Sequence, residues 1–177
     1  ALIWNIVTGL FFYEPIKRLD WFSIFFMFPF LAFGIILVGS ACYACLRLFN
    51  PTVELALSEG AVPLGDSFDI AWELKGRVAR VRELVISAVG EEQATYTRGT
   101  DTKTDKRVFK TIEVTRTSAV AEMQFGTATV VIPLETMHSH FGKKNKIVWK
   151  LVVLGEIPFF PNLHEEFEFH VIPRGVA

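Results

Sequence analysis

Residues 21–46 read WFSIFFMFPFLAFGIILVGSACYACL, a run without a charged side chain that lies between Asp20 and Arg47. A helix needs about 20 apolar residues to cross the hydrocarbon core of a bilayer, so this run can span it with some tilt. The apolar region of a cleaved signal peptide is shorter, about 7–15 residues, and fits this run poorly. The run therefore predicts a transmembrane helix over residues 21–46 and an integral membrane protein.

The sequence before this helix is also apolar, but it is shorter. Residues 1–13 read ALIWNIVTGLFFY, which is too few to span a bilayer alone. Because this segment starts in the middle of an apolar pattern, we expect a piece of a longer chain. We expect either the end of a preceding transmembrane helix or a helix that lies in the membrane interface. Residues 14–20, EPIKRLD, are polar and contain a proline, so they predict a short turn.

The basic residues near the apolar run favour one membrane orientation. Lys17 and Arg18 precede the run, whereas only Arg47 follows it closely, since the next basic residue is Lys75. Cytoplasmic flanks carry the excess of Lys and Arg, and acidic residues contribute little to the orientation. The pattern predicts a cytoplasmic turn before the helix and an extracytoplasmic domain after it.

Small residues within the run mark a candidate helix-packing face. Ser40 and Ala44 are four positions apart, and such a small-xxx-small pair lets a second helix approach closely. Glycine and alanine are common in membrane helices, so ordinary composition is the alternative explanation. The candidate residues are Gly34, Gly39, Ser40 and Ala44.

A change of period after Asn50-Pro51 predicts a β domain over residues 51–173. Apolar residues then recur at every second position, as in Phe68-Asp69-Ile70-Ala71-Trp72-Glu73-Leu74, which is typical of strands with one buried face. Turn signals separate about seven or eight such runs, and no run has a clear helical period. We therefore predict an all-β antiparallel, immunoglobulin-like sandwich. Trp72 and Trp149 lie at inward positions and are expected to be buried between the sheets.

Two stretches of the domain resemble the arrestin family. The first is Leu64-Gly65-Asp66-Ser67-Phe68 followed by an alternating strand. The second is Val131-Ile132-Pro133, a loop to Lys146, and Ile147-Val148-Trp149. The resemblance covers residues 52–172 and implies an arrestin-like sandwich, a non-enzymatic domain that binds proteins through sheet edges and loops. The phosphate-reading basic core of the receptor-binding members has no counterpart in this sequence.

The layout of the whole chain resembles a group of bacterial membrane proteins of unknown function. In that group an apolar segment with a Trp-Asn pair, here Trp4-Asn5, and a second span precede such a domain. The resemblance implies a bacterial inner-membrane location.

The composition gives no support to nucleic-acid binding. The formal net charge of the chain is −1, and the acidic and basic residues after residue 50 are mixed in sequence. Nucleic-acid binding needs a concentrated basic face, so we expect none. We also expect no cofactor. The expected partners are the lipid bilayer and another membrane or membrane-proximal protein.

The histidines are the main candidates for catalytic chemistry, and they are weak ones. His138 and His140 are two positions apart, but a zinc site needs three or four ligands. His164 and His170 contribute only if the fold brings them near. Ser139 lacks the Gly-x-Ser-x-Gly context of a nucleophile elbow. We assign no catalytic, metal or cofactor residue.

The loop over residues 158–163 is the candidate interaction site. It reads PFFPNL and contains Phe159, Phe160 and Leu163, where a plain turn would be polar. Adjacent extended residues point in opposite directions, so we expect one phenylalanine to cover the end of the core. We expect the other to form an exposed patch for a partner or for the bilayer.

Three functions fit these features. The leading hypothesis is a membrane-anchored, non-enzymatic interaction or scaffold module. The alternative is a structural subunit of a larger membrane complex held together by helix packing. The third hypothesis, from a different class, is a metal-dependent hydrolase that uses the histidines. A metal measurement separates the third from the first two, and co-purification of a partner in mild detergent separates the first from the second.

Overall fold

A computed structural model describes residues 2–18 and 21–175 of the chain. Its contacts divide the chain into two compact units, Ala1–Phe49 and Asn50–Ala177. The first unit is helical, and the second is built mainly of strands. These two units confirm the prediction of an apolar helical segment followed by a β-rich region.

Two helices, α1 (Leu2–Arg18) and α2 (Trp21–Arg47), pack against each other in the first unit. Trp4 of α1 contributes to this packing. Its indole N–H donates a hydrogen bond to the carbonyl oxygen of Phe30 at 3.2 Å, and its ring lies edge-on to that of Phe33, with centroids 6.2 Å apart. An aromatic contact therefore links α1 to α2.

The expected turn at residues 14–20 is wrong over residues 14–18, because α1 continues through Tyr13 to Arg18. Pro15 lacks an amide hydrogen and removes one helical hydrogen bond, but its restricted φ is compatible with a helix. Lys17 and Arg18 occupy the last turn of α1, where positive charge interacts favourably with the helix dipole. The rest of the expected turn, residues 19 and 20, lies outside the described residues.

Within α2, the segment Phe25–Arg47 is long and apolar enough to cross a membrane, and little of it is buried. Large apolar side chains such as Phe25 and Phe28 are exposed along it, and Pro29 is accommodated inside the helix. A signal sequence or a core helix can meet the same criterion of length and composition. Membrane crossing therefore remains a proposal.

The described part of the second unit contains nine strands, one short helix and one 3-10 turn. Their bounds are β1 (Thr52–Leu57), β2 (Ala61–Pro63), β3 (Ser67–Lys75), the 3-10 turn (Val78–Arg80), β4 (Glu83–Arg98), β5 (Asp101–Thr117), α3 (Val120–Gln124), β6 (Phe125–Val131), β7 (His140–Phe141), β8 (Asn145–Glu156) and β9 (Leu163–Ile172).

The strands form two sheets. One has the order β1-β3-β6, and the other has the order β2-β9-β8-β4-β5, with β7 also paired to β8. The prediction of an entirely antiparallel arrangement is wrong at β2, which pairs with β9 in parallel. Strands β2 and β7 are too short to show a period, and β2 pairs with His170–Ile172, far along the chain. Neither feature has a local sequence signal.

Both sheets contribute side chains to one buried core. In β3 every second residue is buried, and Trp149, Leu151 and Val153 of β8 belong to the same cluster. Trp72 is 6% exposed and Trp149 is fully buried, so the expectation for both indoles is confirmed. The Trp72 N–H donates to the carbonyl oxygen of Glu122 at 3.1 Å, and that of Trp149 donates to the carbonyl oxygen of Met137 at 2.8 Å.

Candidate functional site

The predicted loop over residues 158–163 lies between β8 and β9, except that Leu163 is already the first residue of β9. A small set of hydrogen bonds holds this loop. The Phe160 N–H donates to the Ile157 carbonyl oxygen at 3.2 Å, and the Ile157 N–H donates to Asn162 Oδ1 at 3.1 Å. Phe159, at the tip, has φ +64°, and no other non-glycine residue in the described chain has a positive φ. A left-handed conformation costs an L-residue about 1–2 kcal/mol. The loop therefore keeps this residue in an unfavourable backbone conformation.

The three apolar residues of the loop have different environments. Leu163 is 3% exposed and belongs to the core, and Phe160 is half-buried against that core. The Arg80 guanidinium lies over the Phe160 ring, 4.9 Å from its centroid. Phe159 is fully exposed. The expected split between a covering and an exposed phenylalanine matches this geometry, whereas the role of the loop in binding stays a prediction.

This loop lies at the end of the domain where its chain begins. The Asn50 side-chain amide donates to the carbonyl oxygen of Pro161 at 2.8 Å. Gly76, with φ +102°, lies beside the same N-terminal residues, since a Cβ at this glycine would be 3.6 Å from the Pro51 Cα. We call the surface formed by residues 50–51, 76–82 and 158–163 the Asn50 end.

Three exposed arginines give the Asn50 end a positive character: Arg77, Arg80 and Arg82. Arg82 lies 3.8 Å from the carboxylate of Glu156. Among the described residues, neither Arg77 nor Arg80 has a carboxylate within salt-bridge distance, and Arg80 stacks on an aromatic ring instead. The charge of these two side chains is therefore available to an external anion.

A groove of about 1140 Å³ lies against the three-stranded sheet. Both outer strands of this sheet have an unpaired edge in the described structure, because β1 and β6 each pair only with β3. Apolar residues contribute to the groove from both sheets, namely Val53, Leu55, Trp72, Phe125 and Phe167. Sequence alone does not predict this groove, because strand order, which decides the edges, has no local signal.

Gly126 of β6 shapes the groove beside Trp72. A Cβ at this position would lie 2.9 Å from the Cε2 and Cη2 atoms of the Trp72 ring, and closer still to Cζ2. Only a residue without a side chain lets the indole approach the β6 backbone so closely, and Trp72 is the cross-strand neighbour of Gly126. A glycine within an alternating run, as in Phe125-Gly126-Thr127, is the sequence signal for such a close approach.

A charged cluster lies across β4, β8 and β9. The Lys150 ammonium contacts Glu91 at 3.1 Å and Glu166 at 3.0 Å, and both Lys150 and Glu91 are largely buried. Burial acts to raise the pKa of Glu91, but hydrogen bonds from Gln93 and Lys150 hold it below its usual value. Burial likewise acts to lower the pKa of Lys150, and its two carboxylate partners raise it above its usual value. The Lys106 ammonium lies 3.7 Å from Glu91, so two ammonium groups face two carboxylates, an arrangement that suits cross-linking of strands.

The histidines do not converge in the described part of the chain. No group of three or more His, Cys, Asp or Glu side chains there could hold a metal ion. His164 contacts Glu166 at 3.1 Å, and the His170 ring packs near that of Phe141. The Ser139 hydroxyl accepts a hydrogen bond from the backbone N–H of Val171 at 3.0 Å. These contacts are structural, and the metal-dependent hydrolase has no ligand set among them.

The four candidate helix-packing residues differ in their exposure. Gly34 is buried, whereas Gly39, Ser40 and Ala44 are exposed. Nothing lies within 4 Å of a Cβ built on Gly39. The Ser40 hydroxyl donates to the Ile36 carbonyl oxygen at 2.8 Å within the helix. The three exposed residues leave room for a neighbouring helix. The role of all four in helix packing stays a prediction.

Comparisons with known proteins give structural resemblances at low sequence identity. No protein-family model matches the chain, and no curated protein sequence is significantly similar to it. Spo0M, the sporulation control protein from Bacillus subtilis, is 13% identical, with a TM-score of 0.47; the match covers 69% of this chain and 49% of Spo0M. The superoxide reductase neelaredoxin from Ignicoccus hospitalis is 13% identical, with a TM-score of 0.40; the match covers 70% of this chain and 80% of neelaredoxin. The chain thus spans about half the length of Spo0M.

Proposed function

We propose that this protein is a membrane-anchored, non-enzymatic interaction module. In this proposal α2 crosses the membrane, in bacteria the inner membrane, and the β domain is an arrestin-like sandwich on the extracytoplasmic side. The domain acts as a scaffold that binds an extended segment of a membrane-proximal protein. The observation that carries the proposal is the groove on the three-stranded sheet, bordered by the free edges of β1 and β6.

The chemistry of the groove favours a polypeptide partner. A free strand edge presents backbone N–H and C=O groups that another extended backbone can complement. Strand addition of this kind takes its affinity from main-chain hydrogen bonds and its specificity from pockets for alternate side chains. The apolar lining supplied by Leu55, Phe125 and Phe167 supports such pockets.

The anchoring part of the proposal rests on α2. Its segment Phe25–Arg47 has sufficient apolar length, and its large side chains are exposed rather than covered by the chain. An apolar surface of this size is unfavourable in water and favourable in hydrocarbon. The orientation rests on Lys17 and Arg18 against Arg47.

The proposal is tested with the full chain in its own membranes. A photo-crosslinking amino acid is placed at Thr127, an exposed residue that lines the groove, and the complex is purified in mild detergent. We expect one defined protein to crosslink from Thr127. Ala56→Lys, which puts a charge on the exposed β1 edge, should abolish that crosslink because edge lysines block strand addition.

The matched control is Thr111→Lys, which adds the same charge at an exposed position on β5, the edge of the other sheet. It should leave the crosslink intact. Retention of the crosslink in Ala56→Lys, with an unchanged melting temperature, would contradict binding at the β1 edge.

The alternative function, a structural subunit of a membrane complex, is favoured by the exposed small residues on α2. The variants Gly39→Leu and Ala44→Leu fill that surface. If they release the partner while Ala56→Lys retains it, helix packing holds the complex and the alternative replaces our proposal.

A further inference from the structure

We propose that the Asn50 end of the β domain docks on the headgroup region of an anionic bilayer, with Phe159 inserted into it. This inference rests on the anchoring part of the proposed function, and it assigns a second surface to the domain, separate from the groove.

The covalent chain limits how far the Asn50 end can move from the membrane. Asn50 is three residues after Arg47, the last residue of α2, and three extended residues reach about 10 Å at most. The hydrogen bond from Asn50 to Pro161 keeps the phenylalanine loop at this same end of the domain. A loop so placed is within reach of the bilayer surface whenever α2 crosses it.

The conformation of the loop fits an interfacial role for Phe159. The hydrogen bonds within the loop hold this residue at φ +64°, and its ring is fully exposed. Exposure of such a ring to water is unfavourable relative to an apolar environment. Phenylalanine is common on the apolar face of segments that lie in the membrane interface, and large exposed apolar groups mark contact surfaces. An aromatic ring inserted between headgroups removes this unfavourable exposure.

The charges around the loop select an anionic surface. Arg77 and Arg80 have no carboxylate partner among the described residues, and Arg80 also covers the Phe160 ring. Glu156, which lies at the same end, is close to Arg82. A basic residue near an anionic membrane surface favours the bound state about fivefold. Arg77 and Arg80, which lack carboxylate partners and lie at the same end of the domain as the exposed Phe159, therefore match anionic headgroups better than neutral ones.

The opposite end of the domain supplies matched controls. β4 starts at the Asn50 end, where Glu83 pairs with Glu156, and runs for 16 residues to the hairpin tip at Gly99-Thr100. At about 3.3 Å per residue this tip lies about 50 Å along the strand. Lys143 and Lys144, before the start of β8, are exposed basic residues at that distant end.

The test uses the full chain in nanodiscs of phosphatidylcholine, with or without phosphatidylglycerol. Both native cysteines are replaced by alanine, and an environment-sensitive fluorophore is attached to a cysteine at exposed position 158, next to the native Phe159, or, as a control, at position 100. A third sample keeps Cys42 alone and labels it, to report whether α2 is in the bilayer. Lipids with a nitroxide near the headgroup or in the acyl chain act as quenchers.

We expect the probe at 158 to be quenched by headgroup nitroxides in anionic discs, more weakly in neutral discs, and less at high salt. The probe at 100 should remain in water. In the 158-labelled chain, Arg77→Gln and Arg80→Gln should each lower the docked-to-undocked ratio about fivefold, whereas Lys143→Gln with Lys144→Gln should not change it.

The outcomes separate the two proposals. A Cys42 probe quenched by acyl-chain nitroxides, together with a 158 probe that stays in water, overturns docking and leaves anchoring intact. A Cys42 probe that is never quenched overturns anchoring and docking together. Quenching at 158 that is equal in neutral discs and unaffected by the arginine variants overturns the selection of anionic lipid. Shielding of 158 only when another protein is present identifies a protein as the occupant and overturns the lipid assignment.

Discussion

Gly126→Ala should destabilise the domain and distort the groove, because its Cβ has no room beside Trp72. The new atom would lie 2.9 Å from two ring atoms and closer to a third, whereas real Cβ contacts are longer. The indole cannot easily move away, since it is 6% exposed and donates a hydrogen bond to the Glu122 carbonyl oxygen. Gly126 has a φ that alanine can adopt, so the cost comes from overpacking. Overpacking a core costs about 1–3 kcal/mol, and this rigid site should fall in the upper half of that range.

A double-mutant cycle isolates this contact. Trp72→Phe removes the outer part of the indole and its hydrogen bond, and it opens space where the alanine Cβ would stand. Gly126→Ala should therefore cost less in the Trp72→Phe background, with a coupling free energy of about 1–2 kcal/mol. The assay is thermal unfolding of the full chain in detergent, followed by the β-sheet circular dichroism signal, which does not depend on tryptophan.

The control is Gly60→Ala, at an exposed glycine where nothing lies within 4 Å of the added Cβ. It should change the free energy of unfolding by less than about 0.5 kcal/mol. Strict additivity of Gly126→Ala and Trp72→Phe, or a neutral Gly126→Ala, would show that the indole does not lie over Gly126. Gly126→Ala and Trp72→Phe, but not Gly60→Ala, should also weaken the crosslink from Thr127 in the groove.

The remaining predictions concern the loop, the topology and the charged cluster. Phe160→Ser should lower the free energy of unfolding by about 1–2 kcal/mol because its ring is half-buried, whereas the exposed Phe159→Ser should leave it nearly unchanged; equal losses would contradict the split. A cysteine at Thr100, in a chain without native cysteines, should react with an impermeant reagent on intact cells; labelling only after lysis would reverse the orientation. The pKa of Glu91 is lowered in the folded state, so its stabilisation is present above the unfolded value of about 4.3 and is lost as the pH falls through the folded pKa. The pKa of Lys150 is raised, so its stabilisation is lost only as the pH rises through its folded pKa, above about 10.4. Melting temperatures of the wild type and Glu91→Gln across this range should converge at acidic pH, and a constant difference would refute the role of the cluster.

The candidate interaction loop shows what local sequence patterns can and cannot predict. Its sequence placed two phenylalanines between prolines, and alternation predicted that one would be covered and one exposed. Which of them is exposed depends on the positive φ of Phe159 and on the contact between Phe160 and Arg80, and that contact joins residues far apart in the chain. The position of the loop likewise depends on the hydrogen bond between Asn50 and Pro161.

The sequence by itself determined the features that depend on neighbouring residues. The uncharged run predicted helix α2, and the alternation around Trp72 predicted a strand with one buried face, because helices and strands have different periods along the chain. Only the tertiary structure decided the parallel pairing of β2 with β9, the free edges of β1 and β6, and the groove beside Gly126. Each of these depends on which distant strands become neighbours. That choice is made by the packing of the whole core, and many strand orders are compatible with the same alternating pattern.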